Sequence, residues 1–171
     1  MKIFCFYYKC YYISEKFSKM KLDIIDRKLL NYLQNDCKQT NKELSAKLNL
    51  SVTAVYERIK KLERLGIIDK HVSLLNKNKV NLSFVAFCQI KLMQHSKDYV
   101  INFEKDVANL KEVIECYHIS GDYDYLLKVV LKDMEAFREF MVKKLTTISH
   151  IGSTHSTFMI SEVKHTTGLY L

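Results

Sequence analysis

The chain has 171 residues, 48% hydrophobic and 27% charged, which is enough to bury two small cores and too apolar for a disordered chain. Its net charge of +8 is uneven: residues 1–19 hold four basic and one acidic group, residues 20–83 thirteen and seven, and residues 84–171 ten and eleven. The cationic surface therefore belongs to the front part, and a polyanion partner is expected there alone.

Residues 1–19, MKIFCFYYKCYYISEKFSK, are rich in aromatics and interrupted by Lys9, so they match neither a signal peptide nor a membrane span. They are expected to lie outside both cores, as an added extension or as sequence upstream of a start at Met20. Asp23, with Asp26 three residues on, caps a helix whose stripe is Leu22, Ile25, Leu29 and Leu33. Thr40 and Glu43 form a second cap, a reciprocal capping box, ahead of Leu44 and Leu48. Asn49, Leu50 and Ser51 then read as a turn, with Leu50 and Val55 at staple spacing across the next helix start. The following helix has Val52, Val55, Ile59 and Leu62 on its apolar stripe and ends at Gly66.

Two capped helices joined by so short a turn predict a helix-turn-helix. At about 100° per residue, the face opposite the stripe carries Thr53, Glu57, Lys60, Lys61 and Arg64, with Tyr56 at its margin. Hydrogen-bonding groups near the start and cations further along suit base edges and phosphates respectively. The plainer alternative is a solvated amphipathic helix. Asn41, Lys42 and Ser51, at the starts of the two helices, complete the expected DNA-binding set. Arg58 is also placed in that set, although it borders the apolar stripe, where an ion pair with Glu43 or Asp26 competes with a phosphate contact.

After Gly66, IIDKHVSLL predicts a short two-stranded wing or a connector strand, giving a DNA-binding domain over 20–75 and a polar linker over 76–83. From Phe84 the period changes. FVAFCQIKLM is strand-like, Val100, Phe103, Val107 and Leu110 mark a helix, and VIECYHIS is a strand. A Gly121–Asp122 turn leads into DYDYLLKVVL, then Met134, Phe137, Met141 and Leu145 mark a second helix, and STFMISEVK closes the pattern. The fold class is therefore α+β: a winged helix-turn-helix followed by a ferredoxin-like βαββαβ domain over 84–165, with a tail over 166–171. In the first strand Phe84, Ala86, Cys88, Ile90 and Leu92 point one way and Val85, Phe87 and Met93 the other. The chain's own helices cover one face only, so a symmetric dimer through the second is expected, against an ordinary half-wet sheet as the alternative.

The five cysteines, Cys5, Cys10, Cys37, Cys88 and Cys116, have neither metal-ligand spacing nor a redox CxxC, and suit a reducing cytosol. Cys116 and His118 share one face of a strand but lack a third partner, which favours packing over a metal or a nucleophile. No metal, cofactor or catalytic residue is expected.

From Met20 to Lys164 the chain resembles the Lrp/AsnC (leucine-responsive, asparagine-operon) family of transcription regulators, through LDIIDRKLLNYL, the LSxTxxxERIKKLERLGII helix, and SGDYDYLLKVV. It departs from that family in having Val52 and Ala54 where prolines commonly open the recognition helix. The resemblance implies sequence-specific binding of double-stranded promoter DNA as dimers or rings of dimers, at the nucleoid in the cytoplasm, tuned by a small effector, often an amino acid. It also implies a pocket of Gly121, Asp124 and, from a neighbouring subunit, Thr154 and Ser156. Chemistry agrees at ISGDYDYLL: amides around Gly121 face a carboxylate, and Asp122 or Asp124 takes an ammonium group. A tight Gly-Asp hairpin explains the same residues. The competing class is an enzyme of the same architecture, a sirohaem decarboxylase, with His118 or His150 at the tetrapyrrole. That reading has no use for the cationic helix, and a free-standing amino-acid-binding domain leaves residues 20–66 without a role.

Overall fold

The structure is a computed structural model that describes residues 22–171, so the expectations for residues 1–19 lie outside the described residues. These residues divide into two compact units, one holding the described residues up to Ser73 together with His165–Leu171, the other holding Leu74–Lys164.

In the first unit the caps predicted from sequence decide where helices begin. Helix α1 spans Ile24–Asn35, with Asp23 and Asp26 closing a capping box. Helix α2 spans Asn41–Leu48 behind the Thr40–Glu43 box, and α3 spans Val52–Arg64 behind Ser51, whose side chain accepts from the Ala54 amide. Between α2 and α3, Asn49 takes a left-handed backbone (φ 53°), which returns the Leu50 amide to the Ser45 carbonyl at 3.1 Å. Leu29, Leu30, Leu44, Val55 and Leu62 make the core, with Leu33, Leu48, Leu50 and Ile59 packed at its edge. Val52, expected in the stripe, is exposed at the first position of α3, while Val55 is the first residue of the helix buried in that core.

Gly66 (φ 68°) ends α3 by sending its own amide to Glu63 and the Ile67 and Ile68 amides to Leu62. This corrects the expected wing or connector strand: among the described residues no strand forms between α3 and Phe84. The amides of Ile67 and Ile68 are taken by the helix end, and those of Lys79 and Val80 by the Asn76 carbonyl in a turn. At the other end of the chain His165–Leu171 belongs to the first unit, where Leu171 meets the core and Leu169 exchanges two hydrogen bonds with the Gln34 side chain.

The second unit follows the predicted order: β1 Phe84–Leu92, α4 Lys97–Ala108, β2 Val113–His118, β3 Tyr125–Leu131, α5 Met134–Lys143, a 3-10 turn Leu145–Thr147, and β4 Ile151–Phe158. The four strands lie in the order β2-β3-β1-β4, and all the pairs are antiparallel. Ala86, Cys88, Ile90 and Leu92 of β1 join Tyr125, Leu127, Val129 and Leu131 of β3 in one core with Phe103, Val107, Phe137, Phe140 and Leu145. Phe140 is buried there, whereas Met134, expected on the helix face, is exposed at the first position of α5.

Candidate nucleic-acid interface and effector turn

On α3 the side chains of Thr53, Tyr56, Glu57, Lys60, Lys61 and Arg64 are exposed, as are Lys42 on α2 and the cap Ser51, while Asn41 is half-buried. One helix thus presents a hydroxyl and a carboxylate early and three cations late, where they also oppose the negative end of its dipole. Lys60 bonds Glu63 at 2.8 Å and lies 5.9 Å from the Tyr56 ring centre. The Lys60 partnership holds the Glu63 carboxyl below its ordinary range. Arg64 forms no ion pair among the described residues. Arg58 differs from all of these: it is turned inward, 2.7 Å from Asp23 and 2.6 Å from Asp26. Of the two alternatives left open for it, the internal pair is the one formed, and its partner is not Glu43, which is held by Thr40 in its own cap.

The turn between β2 and β3 closes through the Ile119 amide on the Asp124 carbonyl at 2.8 Å. Gly121 sits at φ 130°, a backbone open only to glycine, with nothing within 4 Å of where a Cβ would stand. Asp122 is exposed. Asp124 is engaged on every side: its amide donates to the Ile90 carbonyl at 2.8 Å, one carboxylate oxygen accepts from the Leu92 amide at 2.7 Å, and the other meets His95 Nε2 at 2.6 Å. Burial pushes its carboxyl up, but the Leu92 amide and His95 outweigh it and leave the group below its ordinary range. On the opposite side of β1, Thr154 pairs in register with Ile90 and Ser156 with Cys88, so Asp124 and Thr154 flank the same residue. Nothing in the sequence around His95 marks this role, because its partner lies 29 residues away.

The histidines weighed for a tetrapyrrole are stacked within the fold. His118 lies on Tyr125 with ring centres 4.6 Å apart, and His150 lies on Tyr99 at 3.6 Å. Cys116, on the same face as His118, has its thiol pushed up by burial and then by Glu104, which opposes a nucleophilic role.

Residues 22–69 match the family described as winged helix-turn-helix DNA-binding, and residues 85–169 match the Lrp/AsnC ligand binding domain. The leucine-responsive regulatory proteins of Klebsiella pneumoniae and Escherichia coli K12 are each 37% identical over 158 residues, covering 92% of this chain and 96% of theirs. The chain belongs to the Lrp/AsnC family. A transcriptional regulator of Neisseria meningitidis, solved with L-methionine, is similar at TM-score 0.84 and 35% identity, covering 88% of this chain and 97% of that one. An AsnC family regulator of Agrobacterium tumefaciens is similar at TM-score 0.83 and 37% identity, covering 87% and 97%. This Lrp/AsnC protein is accordingly a DNA-binding transcription regulator with a ligand-binding domain. No helix among its described residues is long and apolar enough to cross a membrane.

The sheet face away from the helices completes the picture of this regulator's surfaces. By register, Phe87, Gln89 and Lys91 of β1 lie on it with Leu126 and Lys128 of β3 and His155 of β4. Phe87 and Leu126 are half-buried, while Val85 and Val130 at one end are buried already. Polar groups share the face, with Lys128 bonding Glu115 at 2.9 Å and Tyr117 donating to the same carboxylate at 3.1 Å.

Proposed function

We propose that this regulator reads promoter duplex with α3 in the major groove, Thr53 and Glu57 addressing base edges, and Lys60, Lys61 and Arg64 addressing phosphates. Asn41, Lys42, Ser51 and Tyr56 support the same contact from the helix starts and the margin. The observation that carries this reading is the exposed polar and cationic face of a capped second helix behind a three-residue turn. The protein works in the cytoplasm at the nucleoid, as a dimer through the uncovered sheet face, with dimers joined into rings. An amino acid is the effector, its carboxylate at the amides near Gly121 and Asp122 and its ammonium near Asp124, with Thr154 and Ser156 supplied by a neighbouring copy. The L-methionine held by the Neisseria relative supports that ligand class. An effector placed between copies changes DNA binding by favouring one arrangement of dimers over another.

The test is recovery of the bound duplex from a random pool, followed by retardation of that duplex with and without each amino acid. Enrichment of one sequence, with a shift in affinity or mass by at least one amino acid, is expected. Absence of enrichment, or a haem-like absorbance band in the purified protein with no retardation, would overturn the reading in favour of the enzyme.

A further inference from the structure

The cations of α3 are not equivalent, and the difference originates in one carboxylate on α1. Asp26 is 1% exposed and is the buried charged side chain of the described residues. It closes the capping box with Asp23 and also meets Arg58 Nη1 at 2.6 Å, while Lys61 Nζ lies 3.9 Å from its other oxygen. Arg58 is bound a second time, by Asp23 at 2.7 Å, and these two carboxylates hold its guanidinium in the charged form, with Asp23 the larger influence. Pulling Arg58 away toward a phosphate strands a buried carboxylate, which costs far more than opening an exposed pair. Lys60 faces no such penalty, since its partner Glu63 is accessible to water. Lys61, at 3.9 Å, is beyond hydrogen-bond distance and can leave without breaking a bond, whereas Arg58, held by Asp23 and Asp26 together, resists rotation of α3 about its axis.

We propose that Asp26 is a positioning residue for DNA reading. Together with Asp23 it withdraws Arg58 from the phosphate-contacting set, leaving that task to Lys60, Lys61 and Arg64, and it pins α3 to the start of α1 so that Thr53 and Glu57 meet the groove at one rotation. This rests on the assignment of α3 as the recognition helix and adds to it which cations do not touch DNA.

The experiment measures affinity against salt concentration, for the selected duplex and for an unrelated one, in the full chain and its variants. Each phosphate contact contributes about −0.9 to the slope of log affinity on log salt. Arg64→Ala should make the slope on unrelated DNA shallower by about 0.9, whereas Arg58→Ala should leave it unchanged and lower the preference for the selected duplex. Asp26→Asn leaves Arg58 tied to Asp23 alone, so it should keep the wild-type slope and lower the preference for the selected duplex. If Asp26→Asn does not fold, the paired replacement Asp26→Leu with Arg58→Met, which leaves no buried charge, should keep the wild-type slope with a reduced preference. The proposal is overturned if Arg58→Ala flattens the slope as Arg64→Ala does, if folded Asp26→Asn matches the wild type in preference, or if the paired replacement flattens the slope. A wild type that binds no duplex is a different failure, that of the recognition helix itself.

Discussion

Asp124 illustrates how one side chain serves two demands. Its oxygens hold the Leu92 amide and His95, so it anchors the end of β1 before any effector arrives. Asp124→Asn keeps the size but loses the charge, and is expected to cost about 1–3 kcal/mol through the weakened buried bonds while abolishing the response to amino acids. Calorimetric screening of both proteins, with oligomer mass in parallel, checks this; an equal response in the variant would leave the turn as a hairpin only. Because the folded carboxyl titrates below its ordinary 3.8, its contribution is complete above that value and disappears as pH falls through the folded one. The stability gap between wild type and Asp124→Asn should therefore narrow on acidification below pH 3.8, as read by denaturant titration. On α3, Lys60→Ala with Lys61→Ala should flatten the salt slope by roughly one unit per lost contact, and an unchanged slope would show that this face does not meet DNA.

Among elements, the helix-turn-helix depends on its caps and on a small core. Thr40→Ala removes the bonds its hydroxyl makes with the Glu43 amide and carboxylate while the backbone amide at 40 still reaches Glu43, a loss of about 1 kcal/mol. Leu62→Ala, at a fully buried position, should cost about 2–5 kcal/mol. The ordering of the two in thermal unfolding separates capping from packing. The sheet makes a different prediction: Phe87→Asp puts a charge at the centre of the uncovered face while leaving the helix-covered core intact. Sedimentation should then report monomers with a native circular dichroism spectrum, and an unchanged mass would locate the dimer contact elsewhere.

Over the whole molecule, the end of the chain matters to its beginning. Gln34 exchanges two hydrogen bonds with the backbone of Leu169, at 3.1 and 2.6 Å, and Leu171 packs against the core of the first unit. Removing residues 165–171 should lower the melting temperature of that unit by several degrees and leave the second unit's transition in place. A chain beginning at Met20 should by contrast keep both its melting temperature and its DNA affinity, and a fall in either would assign the aromatic segment a place in the fold.

What the amino-acid sequence determined by itself was everything that depends on neighbours along the chain. Capping boxes, the turn at Asn49, most of the helical stripes and the alternation of β1 are local, so the helix starts and the order of elements along the chain were legible, as were the exposed positions Thr53, Glu57 and Lys60. Tertiary structure decided what depends on distant partners. Asp23 takes Arg58 35 residues away, His95 takes Asp124 across 29, and Gln34 takes Leu169 across 135. Local patterning carries no sign of such pairs, because each side chain obeys its own helix or turn equally well without them. The missing wing has the same origin: the apolar run after Gly66 reads as a strand, but the end of α3 claims its first amides. A strand requires a second strand in register, and that requirement is met by the folded chain and not by the pattern of one segment.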